Sequence, residues 1–246
     1  MTGHRSAWRA WVVCAPQPRR RTLYRHGASV CRRRVVVVGL REDRTINVLD
    51  DLVSEELPAD PLPLLRCWLE TARKSNVTDP DSGVFATVDN DGRPSARVLH
   101  LRRCDDRGLV FFINRSTRKG RDLEANPRVA LTFYWAPLLR QVNITGISQT
   151  TSPAESDLLW REGSSTGRAA SLASRQGEPL SDEQGLRHRA KEIADASTMQ
   201  PRPSTHQGLL LTPETVEFWL GRHDRLHRRV HYSFAAGEWT HWSLQP

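Results

Sequence analysis

Residues 83–113 read Gly83-Val-Phe-Ala-Thr-Val88, Asp89-Asn-Asp-Gly92, Arg93-Pro-Ser, Ala96-Arg-Val-Leu-His-Leu-Arg102, Arg103-Cys104, Asp105-Asp-Arg-Gly108 and Leu109-Val-Phe-Phe-Ile113. Three runs rich in β-branched and aromatic residues are separated by two polar turns that end in glycine. That is the pattern of strands joined by hairpins. No stretch between them is long enough for a crossover helix, which excludes βαβ units here. The expectation is an antiparallel meander.

Working outward, Leu64, Leu65, Trp68, Leu69 and Ala72 recur at helical spacing after a polar linker over 50–60. Ser116 or Thr117 is placed to cap a short helix from Arg118 to about Ala125, ended by Asn126-Pro127. Strands follow at Val129–Trp135 and Arg140–Ser148, then a helix from Pro153 to about Trp160 and a loop over Gly163–Gly167. A further helix is expected from Ser181 to about Ala196, then short strands at Leu209–Leu211, Val216–Trp219, Val230–Phe234 and Trp239–Trp242. The fold class is α+β: an antiparallel, Greek-key-like barrel, closed or half-closed, with peripheral helices.

The net charge of +8 suggests nucleic acid until it is located. Residues 1–45 carry eleven arginines against Glu42 and Asp43, so they hold the whole surplus and the remainder is close to neutral. A nucleic-acid partner would have to be served by that segment alone, and the reading is against one. Residues 1–45 are read as an arginine-rich, disordered extension, and 46–246 as a single domain. No apolar run approaches the roughly 20 residues that cross a bilayer. Cys14, Cys31, Cys67 and Cys104 form no CxxC pair, so neither a zinc ribbon nor a disulfide framework is expected, and no metal site. Reduced thiols fit a cytoplasmic protein.

Chemistry concentrates at few places. Arg118-Lys119 opens a helix directly after a strand, where free N–H groups and the helix dipole favour an anion such as phosphate. Arg97, on the second strand, would reach the same anion if the sheet curls; the bland alternative is that Arg118 and Lys119 are ordinary exposed helix residues. Gln141 and Gln176 offer the paired donor and acceptor that suit a heterocycle edge, or are simply surface residues. If Val230–Tyr232 continues back as a strand, Arg225, His227 and Arg229 share one face beside Trp219. That row either grips an anionic or polar aromatic ligand or is a charged, solvated hairpin edge. There is no P-loop, GxGxxG, GxSxG or HExxH motif.

Taken in order, seven motifs resemble the pyridoxamine 5′-phosphate oxidase family. They are Arg97-Val-Leu-His-Leu-Arg102, Phe111-Phe-Ile-Asn114, Ser116-Thr-Arg118-Lys119-Gly120, Asn126-Pro127-Arg128, Arg140-Gln141-Val142, Ala173-Ser174-Arg175-Gln176, and Glu217-Phe-Trp219 through Arg225-Leu-His227-Arg-Arg229. The resemblance runs from about Asp60 to Pro246. It implies an FMN-binding split β-barrel and an obligate homodimer with a flavin at each end of the interface. It implies FMN phosphate on Arg97, Arg118 and Lys119. The flavin ring and ribityl chain would lie near Val98, Leu99, Phe112, Ile113, Gln141, Gln176, Gly177, Trp219 and Arg229. Arg102 belongs to the same set, while Arg225 and His227 would face the substrate as the catalytic pair.

The chain departs from the vitamin-forming members of that family, which hold the substrate phosphate with a Lys, a Tyr, an Arg and a Ser. The aligned residues here are Arg102, Leu159, Gly163 and Gly167. Losing several charge-assisted bonds at about 1.5–3 kcal/mol each removes orders of magnitude in affinity. Arg161 or Arg168 would compensate only if the loop were rearranged. Ser171-Leu-Ala-Ser-Arg-Gln176 and Leu244-Gln245-Pro246 look instead like the phenazine-biosynthesis branch. The expected function is therefore an FMN oxidase of secondary metabolism. It would take hydride from a reduced aromatic carboxylic acid and pass the electrons to oxygen. The alternatives are a pyridoxine/pyridoxamine 5′-phosphate oxidase and a flavin-binding protein without turnover.

Overall fold

The computed structural model describes residues 57–246. The arginine-rich segment 1–45, with Cys14 and Cys31, lies outside the described residues. The described chain opens with helix α1 (Pro61–Lys74), whose N-cap Asp60 accepts from Leu62 N at 2.8 Å. Leu64, Leu65, Trp68, Leu69 and Ala72 are all at most 1% exposed. The spacing that predicted the helix is thus the spacing of its buried face.

The strands are β1 (Ser82–Val88), β2 (Pro94–His100), β3 (Arg103–Asp105), β4 (Gly108–Asn114), β5 (Arg128–Trp135), β6 (Arg140–Thr150), β7 (His206–Leu220), β8 (Arg228–Ala235) and β9 (Glu238–Leu244). All pair antiparallel in one sheet of order β2-β1-β5-β6-β7-β4-β3, with β8 also on β7 and β9 on β8. The sheet therefore divides at β7. Its first half carries β4 through Leu209↔Phe111, and its second half carries β8 through Phe218↔Val230. Helices α2 (Arg118–Ala125), α3 (Pro153–Glu162), α4 (Ser165–Ala173) and α5 (Glu183–Asp195) fill the connections.

Three expectations are corrected. The meander does not form: β1 and β2 make the expected hairpin, but β4 pairs with β7 rather than β2. The burial explains it. Leu109, Val110 and Phe111 are all fully buried, so β4 needs cover on both faces, whereas β2 leaves alternate residues exposed at a sheet edge. The two short strands at 209–211 and 216–219 are one, bent at Pro213 opposite a register shift between Thr145 and Gly146. A Cβ on Gly146 would lie 2.1 Å from Thr212 O, so the close approach at the bend requires glycine. Finally, the loop expected at Gly163–Gly167 is mostly the start of α4. Ser164 caps that helix by accepting from Gly167 N at 3.0 Å.

The main core lies between α1 and one face of the sheet. Trp68 meets Phe218 edge-on at 5.1 Å and Trp135 at 6.5 Å, and the Arg140 guanidinium sits 4.6 Å over the Trp68 ring. Tyr232, also buried, donates its hydroxyl to Pro58 O at 3.1 Å.

Candidate functional site

Three cations gather where β2, β1 and the start of α2 meet. Arg97 pairs across the ladder with the buried Phe85, so its side chain lies on the core side of edge strand β2. The guanidinium donates to Thr87 Oγ1 and Ser95 Oγ, both at 2.8 Å, and to Phe85 O at 3.3 Å. Thr87 in turn donates to Asp122 at 2.6 Å; both are buried, and Asp122 lies 4.0 Å from Arg97. Thr117 occupies the N-cap of α2, but its hydroxyl donates to Asn114 O at 2.7 Å and caps nothing. The first turn keeps its N–H groups available for an anion. Gly120 lets this turn sit against the preceding loop, since a Cβ there would meet Arg115 O at 2.1 Å.

The electrostatics follow from that crowding. Burial pushes the Arg97 pKa down, Asp122 pulls it up, and the nearby Arg118 pushes it down further. Burial also lowers the Lys119 pKa, with Arg97 adding to the effect. Arg118 is 55% exposed and 3.7 Å from Asp89. A bound dianion would relieve the repulsion among these cations.

Beside this cluster lies a cavity of about 680 Å³ whose lining includes Arg118, Arg121, Gln176, Gly177, Thr205 and His206. Gln176 and Gly177 thus come to Arg118 from the α4–α5 connection. His206 was missed by sequence reasoning, as were Thr87 and Asp122. It is 4% exposed, its ring stacks on Phe112 at 6.2 Å, and its Nδ1 lies 3.2 Å from Thr205 Oγ1. Nε2 is buried without a hydrogen-bond partner among the described residues. Burial, then Lys119 and Arg202, hold its pKa below the usual value. The only sequence signal for Thr87 was its place two residues from Phe85 on the core side of β1.

Gln141, Trp219 and Arg229 form one cross-strand row, through Gln141↔Trp219 and Trp219↔Arg229. It lies on the face opposite the buried row Val142–Phe218–Val230. Arg229 is pinned by Glu217 at 2.9 to 3.0 Å and donates to Gln245 O at 3.1 Å. The His227 ring tilts against Trp219 at 4.7 Å, and its Nδ1 accepts from Arg222 N at 3.1 Å. The expected strand row of Arg225, His227 and Arg229 is broken. β8 begins only at Arg228, and Arg225 has φ 66° in the β7–β8 turn. That turn is closed by Asp224 accepting from Leu226 N at 3.0 Å, which overrides the strand periodicity.

Val98 lies on the same face as that row but on β2, and is 63% exposed. Leu99 packs against the core and Ile113 is 3% exposed within it, so the Ile113 side chain is structural and only its backbone is left for a ligand. Phe112 points away from that core, against Trp160 at 6.1 Å. The positions Arg102, Leu159, Gly163 and Gly167 come together around a pocket of about 200 Å³ that also touches Phe112. Arg102 donates to Leu159 O at 3.3 Å. Among the described residues no group of His, Cys, Asp and Glu could hold a metal, and no helix is long and apolar enough to cross a membrane. Burial pushes the Cys104 thiol up to about 12, which leaves it unreactive.

Residues 69–197 match the family model described as pyridoxamine 5′-phosphate oxidase. Residues 206–246 match the pyridoxine 5′-phosphate oxidase C-terminal dimerisation region. The chain belongs to the pyridoxamine 5′-phosphate oxidase family. It is an FMN-dependent oxidase with the family's FMN-binding split β-barrel. The pyridoxine/pyridoxamine 5′-phosphate oxidase of Gluconobacter oxydans is 38% identical over 200 residues, covering 80% of this chain and 100% of that protein. The enzyme of the same description from Bordetella pertussis is 40% identical over 197 residues, covering 79% and 93%. PhzG from Burkholderia lata, solved in complex with tetrahydrophenazine-1-carboxylic acid, superposes with a TM-score of 0.75 at 36% identity, covering 78% of this chain and 95% of that one. An FMN-binding relative from Nostoc punctiforme shares the fold at 21% identity and a TM-score of 0.64.

The residues present fit FMN. A crowded cation cluster suits its phosphate, and the amide, indole and guanidinium of the Gln141–Trp219–Arg229 row suit the polar edge and face of its ring.

Proposed function

We propose that this chain oxidises a reduced, phenazine-type aromatic carboxylic acid, with oxygen as the electron acceptor and hydrogen peroxide as the second product. The observation that carries the reading is the pocket around Arg102. Its wall at the four phosphate-holding positions of the vitamin enzyme presents one guanidinium, a buried leucine and two glycines. The likeness to PhzG, whose structure holds a tricyclic carboxylic acid, supports the same direction.

FMN, when bound, supplies the acceptor for a hydride and two-electron access to oxygen. The protein's part is to bind and orient. Arg97, Arg118 and Lys119 would hold the phosphate; Gln176, Gly177, Phe112, Val98 and Leu99 would line the ribityl chain and ring. Within one chain the Gln141–Trp219–Arg229 row begins three strands away from β2, on the opposite face from Arg97. We assign it to the flavin of a second copy, so that each site is completed across a homodimer. Three observations support that arrangement: the match to a dimerisation region, and the exposed Val84 and Trp242 on the same face as Val98. His227, tilted against Trp219, and Arg225 in the adjoining turn would then cover the substrate side.

A second reading, pyridoxine/pyridoxamine 5′-phosphate oxidase, is favoured by the curated relatives at 38–40% identity. Anaerobic mixing separates the two. The oxidised flavin band of the loaded protein should bleach with the dihydro-aromatic acid and stay unchanged with pyridoxine 5′-phosphate. Bleaching by pyridoxine 5′-phosphate alone would establish the second reading instead.

A further inference from the structure

Arg168 stands in the first turn of α4 and lines the same pocket as Arg102. No loop rearrangement is needed to bring it there, because the segment expected as a loop is helical. The two guanidiniums are fixed alike, by carbonyls at the end of α3. Arg102 donates through Nη2 to Leu159 O at 3.3 Å, and Arg168 donates through Nη1 to Arg161 O at 3.3 Å and to Gly163 O. Each keeps further N–H donors, since a guanidinium carries five.

Most arginines nearby are neutralised: Arg103 and Arg107 by Glu155, and Arg202 by Asp157. Among the described residues neither Arg102 nor Arg168 meets a carboxylate. The rest of the lining is mixed: Phe112, Leu159 and Trp160 give one apolar, aromatic side, while His100, Ser164 and Ser171 add neutral polar groups and no carboxylate. At about 200 Å³ it is smaller than the roughly 300–1,000 Å³ of pockets that take a whole ligand. It is therefore a subsite that takes one end of a larger molecule.

We infer that Arg102 and Arg168 form a two-guanidinium subsite for a carboxylate borne directly on a flat ring, and that Arg168 is a specificity-determining residue of this oxidase. The planar fork of arginine matches a planar carboxylate in two parallel bonds. The apolar side made by Phe112, Leu159 and Trp160 accepts the ring edge behind the carboxylate. Both guanidiniums are already held, so little side-chain entropy is lost on binding. The inference rests on the substrate class proposed above, but it concerns binding and can be tested without turnover.

The probes are a fully aromatic phenazine carboxylic acid and its neutral carboxamide, titrated into the FMN-loaded protein and read by perturbation of the flavin spectrum. The acid should bind about tenfold or more tightly than the amide. Arg168→Ala should abolish that preference while flavin stoichiometry stays unchanged, and Arg168→Lys should restore only part of it, having charge without the fork. Arg168→Gln, which keeps a donor for the α3 carbonyls, serves where the alanine variant loses FMN. A preference that survives both the alanine and the glutamine change would overturn the inference. So would tighter, Arg168-dependent binding of pyridoxine 5′-phosphate. If the preference depends on Arg168 yet the dihydro acid is not oxidised, the subsite stands and the oxidase reading falls.

Discussion

Arg97 is the best-held of the three cations proposed for the phosphate, because three acceptors and a buried carboxylate set its direction. Arg118 is more exposed, with Asp89 at 3.7 Å beside it. Arg97→Ala should weaken FMN binding by about 1.5–3 kcal/mol, and Arg118→Ala by less. Isothermal titration of the apoprotein measures both, and an unchanged dissociation constant for Arg97→Ala would remove it from the site. His206 gives a pH prediction. Its folded pKa lies below the ordinary 6.5, so the unfolded chain binds the proton more readily. Stability is then full above about pH 6.5 and falls as the pH drops toward the folded value. Melting curves from neutral to mildly acidic pH should show this loss in the wild type and a smaller one in His206→Gln; parallel profiles would contradict it. The cations were legible because a basic pair after a strand has a local reason to be there. Thr87, Asp122 and His206 were not, because their significance is burial, which only tertiary packing creates.

At the scale of elements, α1 and α2 were readable from local signals: apolar spacing in one, a hydroxyl pair before a basic turn and Asn126-Pro127 after it in the other. The β7 bend was not, because Pro213 looks like a break between strands until β6 is seen to follow it through Gly146. Gly146→Ala should destabilise the fold by more than about 1 kcal/mol in urea titration, since the clash is with the β7 backbone at Thr212 and Pro213 rather than with a flexible side chain. Wild-type stability in that variant would show that the bend relaxes freely. The order of strands was misread for a related reason. Turn chemistry identifies hairpins, but which hairpins lie side by side depends on which strands need cover on both faces. The α4 cap was overlooked because the flanking Gly163 and Gly167 suggested a loop, while Ser164 decides the helix.

On the arrangement proposed above, each chain carries two half-sites, and a second copy completes both. The arginine-rich segment 1–45 carries the charge surplus, and none of the placed site residues falls within it. Deleting it should leave FMN stoichiometry intact, as read by the flavin-to-protein absorbance ratio; loss of FMN would give the segment a role in the site. If sites are shared, Arg97→Ala and Trp219→Ala chains should complement each other. Coexpressed, they would form mixed dimers with one intact site, and bound flavin should exceed that of either variant alone. No gain on mixing would place each site within one chain. The fold and cofactor were legible from ordered motifs, whereas the substrate end was legible only as a loss, until the structure set Arg168 beside Arg102. The most direct measurement is oxygen consumption by the FMN-loaded dimer with a dihydro-phenazine carboxylic acid and, separately, with pyridoxine 5′-phosphate. A kcat/KM at least about a hundredfold higher for the carboxylic acid, with one hydrogen peroxide formed per oxygen consumed, is the expected result. Equal or greater kcat/KM for pyridoxine 5′-phosphate would contradict it.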